Sequence, residues 1–311
     1  IYTLSLHDAL PIFYGVSYYY TGDDGSPDRY YTDDGIKTDF SNWDFNSNKT
    51  SLEGLFTSAC FDNNFNCNLD SKTVTNITDF SSIFANCYLG GANSVDNWVL
   101  NTTVGANISL FNAFQGRAYN YNTGGVIYER RGLDWRGLYG PAVSLNGWDV
   151  SAVTSFDQTF QLSMMPTGVN DCKPIFGDWT LGTDPSMNIT LRRMFIGSTF
   201  NDDLVNDPVK WDVSRVNSIS YTFAGMSNTN LSYFNQSLST WDTSNVDDMS
   251  GFVYFNSGFA QDISHFDMSK VTTINRMFDR TQNYSLGFDW MQIPLLTGNN
   301  ERFQYQWDFD T

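Results

Sequence analysis

Aspartates that follow an aromatic residue are the first candidates for chemistry in this chain. Each also precedes a serine by two positions: Asp149, Asp212, Asp242 and Asp267. If the segments carrying them stack at about 4.8 Å, like neighbouring strands, the carboxylates repel one another unless something compensates. One hypothesis is calcium held between successive carboxylates. The other is a hydrogen bond from each carboxylate to its own serine, with water completing the shell, and the sequence leaves both open.

A second candidate is a segment between residues 115 and 144 in which arginines alternate with aromatic residues. Arginine with tyrosine or tryptophan is the usual chemistry of binding hot spots, and insertions in repeat proteins often carry binding. The alternative is an ordered loop whose arginines neutralise neighbouring aspartates. The candidate binding residues are Arg117, Tyr121, Tyr128, Arg130, Arg131, Trp135 and Arg136.

Catalytic machinery is hard to find. Apart from His7, the only histidine is His265, in a slot that other copies of the pattern described below fill with Gly147, Lys210 or Thr240, so we interpret it as a solvent-facing filler residue. No nucleophile elbow, phosphate loop or histidine cluster occurs. A pair of carboxylates suited to glycoside hydrolysis stays open in a chain so rich in aspartate. We therefore predict a protein that is not an enzyme and has no cofactor, and calcium binding stays the open alternative.

Four cysteines, Cys60, Cys67, Cys87 and Cys172, permit two disulfides in three pairings. We favour Cys60–Cys87, because both follow equivalent phenylalanines of adjacent repeats; a buried free thiol is the alternative for each. Eight Asn-X-Ser/Thr sequons predict glycosylation only if the host is a secreting eukaryote. They begin at Asn48, Asn76, Asn101, Asn107, Asn188, Asn230, Asn235 and Asn283.

An apolar pattern that recurs along the chain must position these side chains. Ile263, Phe266, Met268, Val271, Ile274 and Met277 have the same spacing as Leu238, Trp241, Thr243, Val246, Met249 and Phe252. Recurrence with intact spacing is the signature of a repeat protein. About eight copies are anchored at Phe56, Phe84, Phe114, Phe160, Phe195, Phe223, Val253 and Phe278.

Each copy suggests a strand, a cap and a short helix. Apolar and polar residues alternate in Trp148–Ser151, which favours a half-buried strand. Ser151 is a good N-cap, and the apolar residues that follow at three- or four-residue spacing suit one or two turns of α- or 3-10 helix. The prediction is an α/β repeat fold with short strands and short helices.

The repeats define the expected domain organisation. Residues 1–12 resemble a translated sequencing adapter, so we treat them as a non-native scar and expect the natural N-terminus to be missing. Residues 13–42 lack the pattern and read as an N-terminal cap. The repeats occupy 43–290, with the insertion at 115–144, and residues 291–311 form a C-terminal cap or closing strand.

The net charge of the chain restricts the classes of partner that it can bind. The formal net charge of −17 argues against nucleic acid, which needs a basic face, and fits a solvated extracellular surface. No apolar run approaches the roughly 18 residues that a membrane helix needs.

The repeats also resemble a known family. Phe234-Asn-Gln-Ser-Leu-Ser-Thr-Trp-Asp-Thr-Ser-Asn-Val-Asp-Asp-Met249 is similar to the repeats of BspA-like leucine-rich-repeat surface proteins. The match is strong over residues 200–278 and looser before residue 114. One departure is Val246, at a position where an ordinary leucine-rich repeat keeps an asparagine ladder.

That resemblance implies a right-handed, leucine-rich-repeat-like solenoid at the cell surface, without catalytic residues. We expect an extracellular protein that mediates adhesion or binds a protein or glycan. The alternative is a structural subunit of an extracellular filament, built by end-to-end stacking and carrying glycans where the sequons are used.

Overall fold

The computed structural model describes residues 36–45, 48–59, 61–62, 64–90, 92–118, 130–131, 133, 143–165, 176, 179–182, 184–204, 211–227 and 232–281. Six short strands are defined: β1 Ile108–Ser109, β2 Arg117–Ala118, β3 Arg130–Arg131, β4 Val153–Ser155, β5 Ile189–Thr190 and β6 Val216–Ser218. The parallel sheet has the order β1-β4-β5-β6, whereas β2 and β3 pair antiparallel. A 3-10 helix spans Leu69–Ser71. Within these ranges, no helix has the length and apolar character needed to cross a membrane.

Single bridges extend the parallel sheet in both directions. Ser51 pairs with Asp79 and Asp79 with Ser109, while Ser218 pairs with Asp248 and Asp248 with Thr273. One residue from each repeat therefore lies in a continuous column, here called the strand column: Ser51, Asp79, Ser109, Ser155, Thr190, Ser218, Asp248 and Thr273. Each stands five positions before its predicted anchor, Phe56 to Phe278. The parallel sheet and these bridges are compatible with the predicted α/β repeat fold.

Phenylalanine rings form the centre of the core. Six anchors stack on one another with centroids 5.5–6.1 Å apart: Phe56, Phe84, Phe114, Phe160, Phe195 and Phe223. Five tryptophans pack against the anchor phenylalanine of the preceding repeat, at centroid distances of 5.6–6.2 Å: Trp98, Trp148, Trp179, Trp211 and Trp241. The buried indole of Trp148 also donates to the Val95 carbonyl at 2.8 Å. Aromatic residues therefore hold successive repeats in register.

The strands do not begin where the sequence predicts them. Trp148–Ser151 is not a strand; β4 starts at Val153, and β6 likewise starts at Val216 rather than at Trp211. The carboxylate of Asp149 accepts the N–H of Ser151 at 2.9 Å, and this local bond turns the chain instead of extending it. The predicted N-cap is therefore part of a turn, and the β-branched valine after it enters the sheet.

The predicted helices are replaced by consecutive turns. Between Ser81 and Asn86, Ile83 and Ala85 donate to carbonyls three residues back, whereas Ser82, Phe84 and Asn86 donate to the next repeat. Ser82 and Asn86 have φ of 56° and 54°. A helix needs every N–H to donate within its own segment. Because alternate N–H groups bond to the neighbouring repeat, this segment continues the inter-repeat ladder, and the prediction of a helix is wrong here.

Asparagine side chains also link the repeats. They do so at a different position from Val246, where an ordinary leucine-rich repeat has its asparagine ladder. Asn201 accepts the backbone N–H of Asn235 at 2.8 Å, and Asn235 in turn accepts the N–H of Ala260 at 2.8 Å. The rings of Phe200 and Phe234 beside them are 6.0 Å apart and stacked. An asparagine ladder is therefore present next to the Phe-Asn dipeptides.

A buried lysine secures the first described repeats. The ammonium of Lys72 donates to the carbonyls of Phe40, Ser41 and Trp43 at 2.5, 2.9 and 3.2 Å. Lys72 is only 7% exposed, and burial lowers the pKa of its ammonium, although Asp39 and Asp44 oppose that shift. One side chain thus satisfies three acceptors of residues 40–43.

Replacing Lys72 with methionine is expected to lower the free energy of unfolding by about 2–3 kcal/mol, because buried carbonyls lose their donor. Urea unfolding followed by tryptophan fluorescence measures this effect. The matched control is Lys270→Met, since Lys270 is exposed. Equal destabilisation by the two changes would contradict the role of Lys72.

Several predicted features fall outside the described residues. Cys60 and Cys172 lie outside the described residues, so the Cys60–Cys87 disulfide stays a prediction. Cys87 is described and is buried. Cys67 has a buried free thiol, and burial, with Asp62 and Asp39 adding to it, raises the pKa of this thiol to about 12. Residues 1–12, most of the cap at 13–42 and residues 291–311 also lie outside, so those boundaries and the filament alternative stay predictions.

Candidate functional site

The predicted insertion is described only at its base. β2 and β3 form an antiparallel pair in which Arg117 lies opposite Arg131 and Ala118 lies opposite Arg130. The described part of the segment is therefore an antiparallel pair of two-residue strands. Tyr121, Tyr128, Trp135 and Arg136 lie outside the described residues. Binding by this insertion stays a prediction.

The four candidate calcium aspartates are exposed and each makes its own turn. Their carboxylates accept the N–H of the serine two residues on, at 2.9 Å for Asp149 and Asp212, 3.0 Å for Asp242 and 2.7 Å for Asp267. The bond from each carboxylate to its own serine, predicted by the hydrogen-bond hypothesis, is therefore confirmed. No group of three or more His, Cys, Asp or Glu side chains within the described ranges is placed to hold a metal ion. Calcium stays a prediction, which a higher melting temperature in calcium than in chelator would support.

The serine bonds also set the charge state of this row. Hydrogen bonds from the backbone and side chain of Ser244 lower the pKa of Asp242 and outweigh the opposing charge of Asp267. Bonds from Ser269 likewise lower the pKa of Asp267. The folded protein therefore favours the ionised carboxylates more than the unfolded chain does.

A stability loss on acidification follows from these lowered pKa values. The ionised carboxylates stabilise the fold above their unfolded pKa of 3.8, and this contribution disappears as the pH falls through the lower folded values. We expect the melting temperature of the unmodified protein to fall as the pH is lowered from about 5 through the folded pKa values. The melting temperature of Asp242→Asn should fall less over the same pH range. Asp247→Asn on the same repeat is the control. A flat profile for the unmodified protein would refute this expectation.

Hydroxyl groups cover the strand column and its neighbours. Ser51 donates to Asp79 at 3.0 Å across one repeat boundary. Two pairs of hydroxyl groups, Ser81 with Ser109 and Ser250 with Thr273, are 3.1 and 2.9 Å apart across two others. The outward face of the sheet is therefore a polar surface on which side chains link neighbouring repeats at these three boundaries.

One ion pair lies on this face. The guanidinium of Arg192 donates to Asp157 through Nε at 3.0 Å and through a terminal nitrogen at 2.9 Å, and Thr190 donates to the other carboxylate oxygen at 2.7 Å. Asp157 is 9% exposed. These contacts satisfy the charge within the protein, so we assign the pair a structural role.

The turn segments of the C-terminal repeats carry a second surface, which we call the Arg–Tyr stripe: Arg193, Tyr221, Tyr254 and Arg276. The guanidinium of Arg193 lies 5.5 Å from the centroid of Tyr221, and that of Arg276 lies 5.7 Å from Tyr254. The two tyrosine rings meet edge to face at 6.0 Å. This surface joins four consecutive repeats.

A close approach of backbone and ring holds the stripe together. Gly251 has φ 57°, and a Cβ atom there would lie 2.2 Å from the ring of Tyr221. The glycine thus leaves room for the tyrosine. This surface was not predicted from the sequence, although a signal existed: Arg193, Tyr221 and Arg276 each stand two positions before an anchor.

The remaining candidates have simpler surroundings. His265 is exposed, as predicted, and its Nε2 lies 3.1 Å from the Leu238 carbonyl. Asn48, Asn76, Asn107 and Asn188 are exposed, and Asn101 and Asn235 are half-buried. Asn230 and Asn283 lie outside the described residues. Glycosylation stays a prediction.

Comparison with known proteins gives one family. A profile described as "Mycoplasma protein of unknown function, DUF285" matches residues 29–123 and 186–310. The unmatched interval contains most of the insertion. No curated protein and no solved structure matches the chain.

Proposed function

The chain belongs to the DUF285 family, whose description assigns no function, and we propose that it is a non-enzymatic binding protein of the cell exterior. Its fold in this proposal is a right-handed solenoid like that of BspA-like leucine-rich-repeat surface proteins. It mediates adhesion by binding a protein or glycan ligand. The DUF285 match and the parallel stacking of repeats support this assignment.

The observation that carries the proposal is the continuous strand column. Eight repeats present the equivalent residue along one face, from Ser51 to Thr273. Stacked repeats create extended surfaces that contact a ligand at many points. The net charge of −17 keeps such a surface solvated and opposes nonspecific self-association.

Screening the purified protein against arrays of extracellular glycans and proteins tests the proposal. We expect a saturable ligand whose affinity falls about tenfold when arginines replace two exposed residues beside the strand column, Asp247→Arg with Thr272→Arg. The control places the same two arginines on the loop before Trp241, as Ser239→Arg with Thr240→Arg, and should retain binding. Absence of any saturable ligand would overturn the proposal. Fibres rather than single particles in electron micrographs would favour the filament alternative.

A further inference from the structure

Three of the four residues of the Arg–Tyr stripe occupy backbone positions that suit small residues. Arg193, Tyr221 and Arg276 have φ of 58°, 55° and 58°. Left-handed backbone is disfavoured for bulky side chains, and asparagine and glycine tolerate it best. The equivalent positions of the first three repeats hold Gly54, Ser82 and Asn112, also at positive φ. Gln158, Arg193, Tyr221 and Arg276 hold this position in the fourth, fifth, sixth and eighth repeats, so larger side chains replace better-suited ones there, and the stripe uses the last three. Residues held in sparsely populated backbone conformations cluster at functional surfaces.

The arginines of the stripe are not used for internal ion pairs. Across the described ranges, the ion pairs are Lys37–Asp62 and Arg192–Asp157. Neither Arg193 nor Arg276 lies within ion-pair distance of a described carboxylate. A guanidinium stacked on an aromatic ring keeps the N–H donors along its edge. Both side chains are thus held by tyrosines and retain donors for an external anion.

The dimensions of the stripe restrict what that anion is. Arg193 and Arg276 stand three repeats apart, roughly 14 Å at the spacing of about 4.8 Å between parallel strands. Two tyrosine rings lie between them. A matching ligand has carboxylates at that separation, which suit the guanidinium fork, and flat apolar faces between them. A linear polysaccharide of uronic acids has a carboxylate on each ring and a sugar face that can lie on tyrosine, whereas a compact anion reaches only one arginine.

Net charge does not prevent this contact. The protein carries −17 overall, which repels a polyanion at long range. At physiological ionic strength, exposed charges are screened beyond about 8 Å, so the nearest groups decide the interaction. In the stripe those groups include two guanidinium groups and two tyrosine rings.

We propose that the Arg–Tyr stripe is a binding site for a carboxylated polysaccharide. This inference rests on the proposed function of an extracellular binding protein and adds the class of ligand. Arg193 and Arg276 bind the carboxylates, and Tyr221 and Tyr254 contact the sugar faces.

Calorimetric titration of the full chain with polygalacturonate at 150 mM NaCl tests the site. The double variant Arg193→Gln with Arg276→Gln should raise the Kd at least about tenfold, because each substitution removes a charge-assisted pair with a ligand carboxylate. Gln158 already occupies the equivalent position at φ 57°, so glutamine fits this backbone. The matched control Lys49→Gln with Lys270→Gln removes the same charge elsewhere and should keep the Kd within about twofold, since it leaves the stripe intact. Far-UV circular dichroism confirms that each variant is folded.

Two further ligands separate the contributions of charge and sugar. Fully methyl-esterified polygalacturonan lacks the charge and should not bind; polyglutamate lacks the sugar rings and should bind at least about tenfold more weakly, because it loses the tyrosine contacts. Equal binding of polyglutamate would show that the stripe accepts acidic protein and would overturn the inference. An equal loss of affinity for polygalacturonate in the arginine and lysine double variants would also overturn it. So would the absence of polygalacturonate binding to the unmodified protein. A different array ligand that still binds would leave the proposed function standing.

Discussion

Asn256→Asp is expected to lower the free energy of unfolding by roughly 3–5 kcal/mol, because two buried carbonyls lose their donors and face a carboxylate. Asn256 is fully buried. Its amide nitrogen donates to the carbonyls of Phe223 and Phe234 at 3.3 and 3.0 Å. Its oxygen accepts the N–H groups of Gly258 and Phe259 at 2.9 and 3.0 Å. The amide therefore joins several segments of the C-terminal repeats, and aspartate reproduces only its acceptor half.

Urea unfolding at pH 7 and pH 4 measures this effect. The deficit relative to the unmodified protein should shrink at pH 4, since a protonated aspartate donates one hydrogen bond. Asn275→Asp makes the same chemical change at an exposed position and should alter stability by less than about 0.5 kcal/mol. An equal deficit at both pH values would mean that packing, rather than the hydrogen bonds, accounts for the loss.

Truncating the central ring of the phenylalanine stack should have a comparable effect. Phe160 is fully buried and stacks on Phe114 and Phe195, with centroids 5.5 and 5.6 Å away. It also meets Phe176 edge to face at 5.2 Å. Phe160→Ala is expected to cost about 3–5 kcal/mol, because it removes apolar burial and leaves a cavity in contact with three repeats.

Two controls separate ring stacking from cavity formation. Phe160→Leu should cost less than about 1.5 kcal/mol, since Val253 shows that an aliphatic residue fits an anchor position. Phe278 is half-buried, so Phe278→Ala should cost less than half as much as Phe160→Ala. Denaturant midpoints at constant m-value provide the comparison. Similar losses for alanine and leucine at Phe160 would indicate that stacking, not volume, stabilises the core.

Sequence spacing predicted the register of the repeats because burial constrains it strongly. A repeat shifted by one position would expose its phenylalanine, so the anchors from Phe56 to Phe278 could be aligned from the pattern alone. The carboxylate–serine turns were also foreseeable, since Asp149 reaches Ser151 through local chain geometry. Both results follow from interactions that are short in sequence or repeated identically.

Local conformation within each repeat was not predictable in the same way. The spacing of Val153, Phe156 and Phe160 fits a helix as well as a strand followed by turns, because both bury the same side chains. The choice depends on carbonyls of the adjacent repeat, which accept alternate N–H groups. These acceptors are 24–45 residues away in the chain and exist only once the repeats stack.

The Arg–Tyr stripe has the same origin. Arg193 and Tyr221 are far apart in sequence, and only their shared position two residues before an anchor hints that they are neighbours. Residue types and their spacing thus specified a stack of about eight repeats with an aromatic core. Contacts between repeats specified the turn segments around the anchors, the bonds of the Asn256 amide to Phe223 and Phe234, and the stripe, because each requires partners that only tertiary packing brings together.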